Sequence, residues 1–205
     1  MRHWTPYLLV APPVVLLASL VVYPLLYNVS LSLRNYRTGE FVGLHNFARA
    51  LDDPQFFASL WATAIYVSGT LVVEILLGLA LALLVHRTIR SGWARTLVYL
   101  LFLIPMVTPP VAAGVIARLI YSPTYGVLNV LLQRVGMIHT DVLWLAQPFT
   151  AMLAVISVDV WQWMPFVFLV CFAGLQAVPV DTAEAARVDG ADGWRLFRHI
   201  EYPYL

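Results

Sequence analysis

Four long apolar runs divide this 205-residue chain: Tyr7–Leu33, Ser59–Val85, Leu97–Tyr121 and Phe149–Leu175. Each reaches the roughly 20 residues that a helix needs to cross hydrocarbon, and only Glu74, Arg118 and Asp159 interrupt them with charge. The pattern predicts an all-α integral membrane protein with four transmembrane helices. Between the runs lie a linker, Arg34–Ala58, a short arginine-bearing turn, His86–Thr96, and a segment, Ser122–Pro148. The last stretch, Gln176–Leu205, is polar and helix-forming. The first run carries no charge and exceeds the roughly 7–15-residue core of a signal peptide, so it reads as an uncleaved membrane helix. The third run holds Pro105, Pro109, Pro110 and Gly114. Proline removes a backbone donor and clashes with the preceding turn, so this helix is expected to kink or break. Interrupted helices often line pathways, because irregular backbone is tolerated beside a cavity or protein. Proline is also simply commoner in membrane helices than in soluble ones.

Composition agrees with the pattern. The chain is 61% hydrophobic and 11% charged, with a mean hydropathy of +0.80, against about 25% charged residues in a soluble domain. A net charge of +1 gives no footing for nucleic acid. Cys171 is alone and can form neither an internal disulfide nor a zinc site. His3, His45, His86, His139 and His199 are scattered, so no catalytic or metal-binding cluster is expected and the chain does not read as an enzyme. No phosphate loop of the GxxxxGK[ST] type is present, so the chain is expected to hold no nucleotide cofactor of its own. A secondary transporter would show a paired copy of the broken helix, and there is none. All twelve basic residues are arginine, and they set the orientation. With the N-terminus inside, Arg2, Arg87, Arg90, Arg95, Arg187, Arg195 and Arg198 are cytoplasmic, against Arg34, Arg37, Arg49 and Arg134 outside, seven to four. Arg118 falls near the outer end of its helix.

A charge at the bilayer centre costs roughly 2.5–3.5 kcal/mol on insertion scales, so intramembrane carboxylates face protein or water. Asp159, Gln162 and Trp163 offer a carboxylate, an amide and an indole on neighbouring helix faces, with Trp161 nearby. Such a set suits a sugar, which presents hydroxyls and an apolar ring face; alternatively, Asp159 lies at the outer water boundary or pairs within the bundle. Glu74 reads as a helix-packing group. In the tail, Asp181 and Glu184 fit a capping box with Asp as the cap, Ala183, Ala185 and Ala186 favour helix, and Gly190 suits a left-handed stop. Asp192 is placed to cap a second helix through His199, with Trp194, Phe197 and Glu201 on one stripe and Leu196 and Ile200 on another. The pair must pack on something larger, or it lies on the membrane surface as an amphipathic hairpin.

The tail resembles the EAA loop of ABC importer permeases: Glu184-Ala185-Ala186, then Gly190, then Ile200 and Pro203. The run EAARVDGADGWRLFRHIEYPYL is similar to the sugar-type branch, that of the maltose and glycerol-phosphate permeases. Val42-Gly-Leu-His-Asn-Phe47 with Asp53-Pro54, Gly126-Val-Leu-Asn129, Trp144-Leu-Ala-Gln-Pro148, Trp161-Gln-Trp-Met-Pro165-Phe166 and Gly174-Leu-Gln-Ala-Val-Pro179 extend the resemblance over nearly the whole chain. It implies a type I ABC permease core with a cytoplasmic coupling-helix hairpin. Residues 1–58 would be an N-terminal transmembrane helix and external linker, and 59–205 a partial ABC transmembrane type-1 domain ending in the EAA loop at about 177–205. It further implies a multi-pass protein of the cell membrane with both ends cytoplasmic. Its partners would be a cytoplasmic ABC ATPase that hydrolyses the ATP, a second permease subunit, an extracytoplasmic solute-binding protein, lipid and a sugar substrate. In the family Glu184 supplies charge at the ATPase dock, Ala185 and Ala186 permit close approach, and Gly190 turns the chain. The runner-up solutes are polyamine, phosphate and amino acid. Family members continue past Pro203 into two more helices, so the chain is expected to be C-terminally truncated and, as a fragment, non-functional. Its tail is expected to be tethered only at its entry, and Asp159 and Gln162 to face lipid.

Overall fold

The computed structural model describes residues 4–205. Arg2 and His3, and with them the expected cytoplasmic N-terminus, fall outside the described residues. The chain divides into two compact units on either side of Thr63.

In the first unit, helix α1 (Thr5–Ser32) shows apolar side chains on all sides, as a lipid-facing span does. Its polar side chains turn back on their own backbone: Ser19, Ser30 and Ser32 donate to the carbonyls three residues earlier, and Asn28 Nδ2 to Pro24 O at 2.8 Å. Hydrocarbon offers no other partner. The predicted linker is more ordered than expected. It contains α2 (His45–Asp52), and α3 (Pro54–Thr88) begins before its end. Asn46 Nδ2 donates to Ser32 O and Arg34 O, both at 2.8 Å, and so satisfies carbonyls left open at the end of α1. Both the expected boundary at 58/59 and the division at Thr63 fall inside α3.

The second unit is built on α7 (Pro148–Ala177), whose Val160, Pro165, Phe168, Phe172 and Leu175 are buried at helical spacing. Phe168, Phe172 and Leu175 meet Ala82 and Val85 of α3 and are flanked by Val98, Tyr99 and Phe102 of α4 (Gly92–Val107). Helix α3 buries Thr70, Glu74, Gly78, Ala82 and Val85, almost every fourth residue. At Gly78 it approaches α7 so closely that a Cβ would stand 2.8 Å from Val167 Cγ1 and 3.0 Å from Phe168 N. Glu74 lies on this packed stripe, as the sequence suggests, although its Oε1 has no hydrogen-bond partner.

The expected third span is not one helix. It breaks at Thr108–Pro109 into α4 and α5 (Pro110–Ile120), which meet at 91°. The turn before it is also shorter than expected, since α3 runs to Thr88 and α4 starts at Gly92. Among the described residues three unbroken helices, α1, α3 and α7, are long and apolar enough to span, and α4 and α5 make a fourth when the bent pair is counted as one span. The following segment forms α6 (Val127–Arg134). Asn129, buried on it, accepts from Trp144 Nε1 at 2.7 Å and donates to Val142 O at 3.2 Å, so the two family-like motifs of this segment are one hydrogen-bonded unit.

The Gly78 approach yields a prediction. Alanine normally favours a helix over glycine, yet Gly78→Ala should lower stability by about 1–3 kcal/mol through overpacking. Gly92→Ala, which meets nothing within 4 Å, should not. Thermal unfolding of the detergent-solubilised variants checks the contrast, and equal melting of the two would refute it.

Candidate functional site

Two sites emerge, one midway along α7 and one beside the C-terminal ends of α3 and α7. The first is a cleft of about 300 Å³ formed by Tyr66 of α3, Arg118 and Tyr121 at the end of α5, and Ala154, Asp159 and Gln162 of α7. Asp159 and Gln162, three residues apart on one helix, do come together here rather than facing lipid. Gln162 is only 6% exposed and donates through Nε2 to Thr108 O at 2.9 Å. That bond satisfies a carbonyl at the α4–α5 break, so Gln162 holds the broken helix while lining the cleft. Asp159 is half-buried, and neither it nor Arg118 has an ion-pair partner within 4.0 Å among the described residues. A carboxylate, a guanidinium and two phenols around one cavity can bind a ligand rich in hydroxyl groups.

Trp163 is not part of this cleft. It is 45% exposed and absent from the lining. Trp161 instead borders a neighbouring apolar cavity of about 330 Å³ with Tyr121 and Ser157, where the Tyr121 hydroxyl and Ser157 Oγ are hydrogen-bonded. Tyr66, Arg118 and Tyr121 also line the cleft, and the sequence reading does not include them. The available signal was Arg118 itself, a charge inside an apolar run. No sequence pattern announces Tyr66.

The second site is the tail. Helix α8 (Val180–Val188) starts two residues earlier than the capping-box reading requires. Pro179 occupies the cap position and Asp181 makes no capping hydrogen bond. The proline's restricted φ of −61° sets the entry, and Asp181 contributes only a negative charge in the first turn, where the helix dipole favours one. Gly190 does end the helix, at φ +82°. Asp192 stands at the cap of α9 (Gly193–Leu196) without a side-chain bond to it. Glu184 and Ala185 are exposed and Ala186 is half-buried, so α8 offers an uncovered face.

The second tail helix is not regular. After α9 the chain widens into a π turn, Phe197–Glu201, and tightens into a 3₁₀ turn, Tyr202–Tyr204, that includes Pro203. The predicted stripes therefore fail. Leu196 and Glu201 are five residues apart, about 140° on an α-helix at roughly 100° per residue, yet both are buried. A five-residue repeat is what a π turn brings onto one face. Ile200 is half-buried beside them. Glu201 meets Arg87 of α3 at 2.9 Å, the one ion pair among the described residues. The end of the tail also touches α7, where a Cβ on Gly174 would stand 2.6 Å from Tyr204 O. Held at its exit as well as its entry, the tail is not tethered at one end only. Among the described residues no three His, Cys, Asp or Glu side chains converge as a metal site.

Comparison with known proteins fits this architecture. Residues 74–205 match the model of the binding-protein-dependent transport system inner membrane component family. The sulfoquinovosyl glycerol transport system permease protein SmoG of Agrobacterium fabrum is 36% identical over 97% of this chain and 64% of its own length. The trehalose/maltose transport system permease protein MalF of Thermococcus litoralis is 32% identical, over 97% and 67%. The chain thus spans about two thirds of these relatives. A bacterial ABC transporter involved in the import of the acidic polysaccharide alginate superposes with a TM-score of 0.81 at 22% identity, covering 99% of this chain and 68% of its own. The fold is that of a type I ABC permease, and the chain belongs to the family of binding-protein-dependent transport system inner membrane components.

Proposed function

We propose that this chain serves as a permease subunit of an ATP-driven sugar importer, lining the translocation pathway with its cleft and coupling to a cytoplasmic ATPase through α8. The observation that carries this reading is the pairing of two sites on the same helices. A cleft bearing Asp159, Arg118 and Gln162 lies midway along α7, and an exposed, family-like coupling helix follows the C-terminal end of that helix. From Tyr66 to Arg87 the distance along α3 is about 30 Å at roughly 1.5 Å per residue, the thickness of the hydrocarbon. The names of both relatives favour a sugar over polyamine, phosphate or amino acid, and the hydroxyl-binding character of the cleft agrees. A solute-binding protein would deliver substrate at the cleft end, and a second permease subunit would cover the exposed apolar faces. The partner ATPase would hydrolyse the ATP. The Arg87–Glu201 pair joins the tail to the arginine-rich turn between α3 and α4, which supports placing both in the cytoplasm.

Three outcomes are expected. Cysteine introduced at Thr38 should react with an impermeant maleimide in intact cells, and one at Thr182 only after permeabilisation; labelling of Thr182 from outside would reverse the orientation. Asp159→Ala should lower uptake of labelled sugar by about tenfold or more at sub-saturating concentration, as loss of a charge-assisted hydrogen bond of roughly 1.5–3 kcal/mol requires. Unchanged uptake would remove Asp159 from the substrate site. Glu184→Lys, in the permease assembled with its partners, should abolish both uptake and substrate-stimulated ATP hydrolysis while leaving insertion intact. Normal values of both would defeat the docking role.

A further inference from the structure

Glu201 is a carboxylate buried at the membrane boundary, only 4% exposed, on a turn whose irregular winding exists where it is needed to bring that residue inward. Burial of an ionised group is tolerated when it is paired, and Glu Oε2 is paired with Arg87 Nη2 at 2.9 Å across 114 residues of sequence. Behind α8 lies a cavity of about 320 Å³ bordered by Glu201, His86, Arg95, Arg187, Leu175 and Ala183. Helix α8 therefore spans a space rather than a packed surface. Helix α8 continues from α7 through Val178-Pro179, and beyond its far end, past α9, the tail is joined to α3 by the Arg87–Glu201 pair.

That arrangement assigns a mechanical role to the pair. Helix α3 runs unbroken from Pro54 to Thr88, so a displacement at Arg87 is passed along a rigid rod to Tyr66 on the cleft. We propose that Arg87 and Glu201 are positioning residues for transport: their ion pair makes α3 follow the coupling tail, so that movement of α8 reshapes the cleft. This rests on the reading of α8 as the ATPase dock. Neither residue touches substrate or nucleotide. The buried Leu196 and the close approach of Tyr204 to Gly174 hold the tail independently of the charge, and the reversed pair tests the ion pair apart from folding.

The experiment uses the permease with its ATPase, partner permease and solute-binding protein in proteoliposomes. Glu201→Gln should cut uptake about tenfold, the factor given by 1.4 kcal/mol, with ATP hydrolysis retained and the half-saturating sugar concentration unchanged. In the same vesicles, trypsin should cleave the tail at Arg187, Arg195 or Arg198 faster than in the parent. Arg87→Glu combined with Glu201→Arg should restore most of the uptake, because the pair is re-formed with its polarity reversed. Unchanged uptake in Glu201→Gln would overturn the proposal. So would a parallel fall of uptake and hydrolysis that the reversed pair does not rescue, since that marks a contact needed only for folding. Glu184→Lys, run alongside, separates the two readings. If it transports normally, docking by α8 fails. If it is inactive while Glu201→Gln is normal, the latch alone fails.

Discussion

No water reaches hydrocarbon to satisfy an opened backbone, and the second unit is arranged around that constraint. Pro109 and Pro110 bring no N–H, so the helix that reaches them cannot continue its own ladder, and the chain bends by 91°. The freed carbonyls are then met one by one. Thr108 donates its hydroxyl to Ile104 O at 2.8 Å and its N–H to Pro105 O at 3.1 Å, while Gln162 of α7 takes Thr108 O. The last of these comes from another helix. It ties the break to α7, and the cleft opens beside this bond because α5 leaves the direction of α4 there.

The sequence shows the spans, the break and the tail well, because each rests on local rules. Apolar length marks α1, α3 and α7, paired prolines mark the break, and glycine marks the turn at Gly190. What stayed illegible depends on contacts between distant residues. Gln162 reads as a substrate group because an amide in an apolar helix has no visible partner; its partner is a carbonyl on a different helix. Trp163 reads as a neighbour of Asp159 by helical spacing, but the packing of α3 and α5 on α7 decides which face is covered. Asn46 is one residue in a family-like motif, and only the fold reveals it as the group that closes α1. The π turn is the clearest case. Its residues carry no sequence signal that distinguishes it from an α-helix, and with a regular phase Glu201 joins the wrong stripe.

The cleft and the tail carry different chemistry. At the cleft, Asp159 and Arg118 remain unpaired with each other and the cavity is open, so their hydrogen-bonding capacity is available to a ligand. At the tail, the carboxylate of Glu201 is committed to Arg87, and Arg95 spends its Nε–H on Ile89 O at 2.7 Å and lies over the Phe172 ring. The cleft leaves its charged groups without ion-pair partners among the described residues, whereas the tail commits its carboxylate. The core between them is aromatic, with Phe102, Phe168 and Phe172 in contact through their rings. Aromatic packing of this kind resists local deformation, so displacement at one end is carried by whole helices.

In the Arg87–Glu201 pair the carboxylate is enclosed while the guanidinium is 41% exposed, and such a pair is a poor device for stability alone. Its presence at Arg87 and Glu201 therefore calls for another physical reason. Apolar contacts are non-directional, and a tail held only by Leu196 could slide or rotate on α3 with small changes in energy. A charge-assisted hydrogen bond is short and directional, and it fixes both the register of the π turn and the distance to α3. Sliding by one residue would leave a carboxylate buried without its partner, a far larger penalty than the loss of a methyl contact. The pair thus fixes the position of the π turn against the end of α3 by a directional contact as well as by packing.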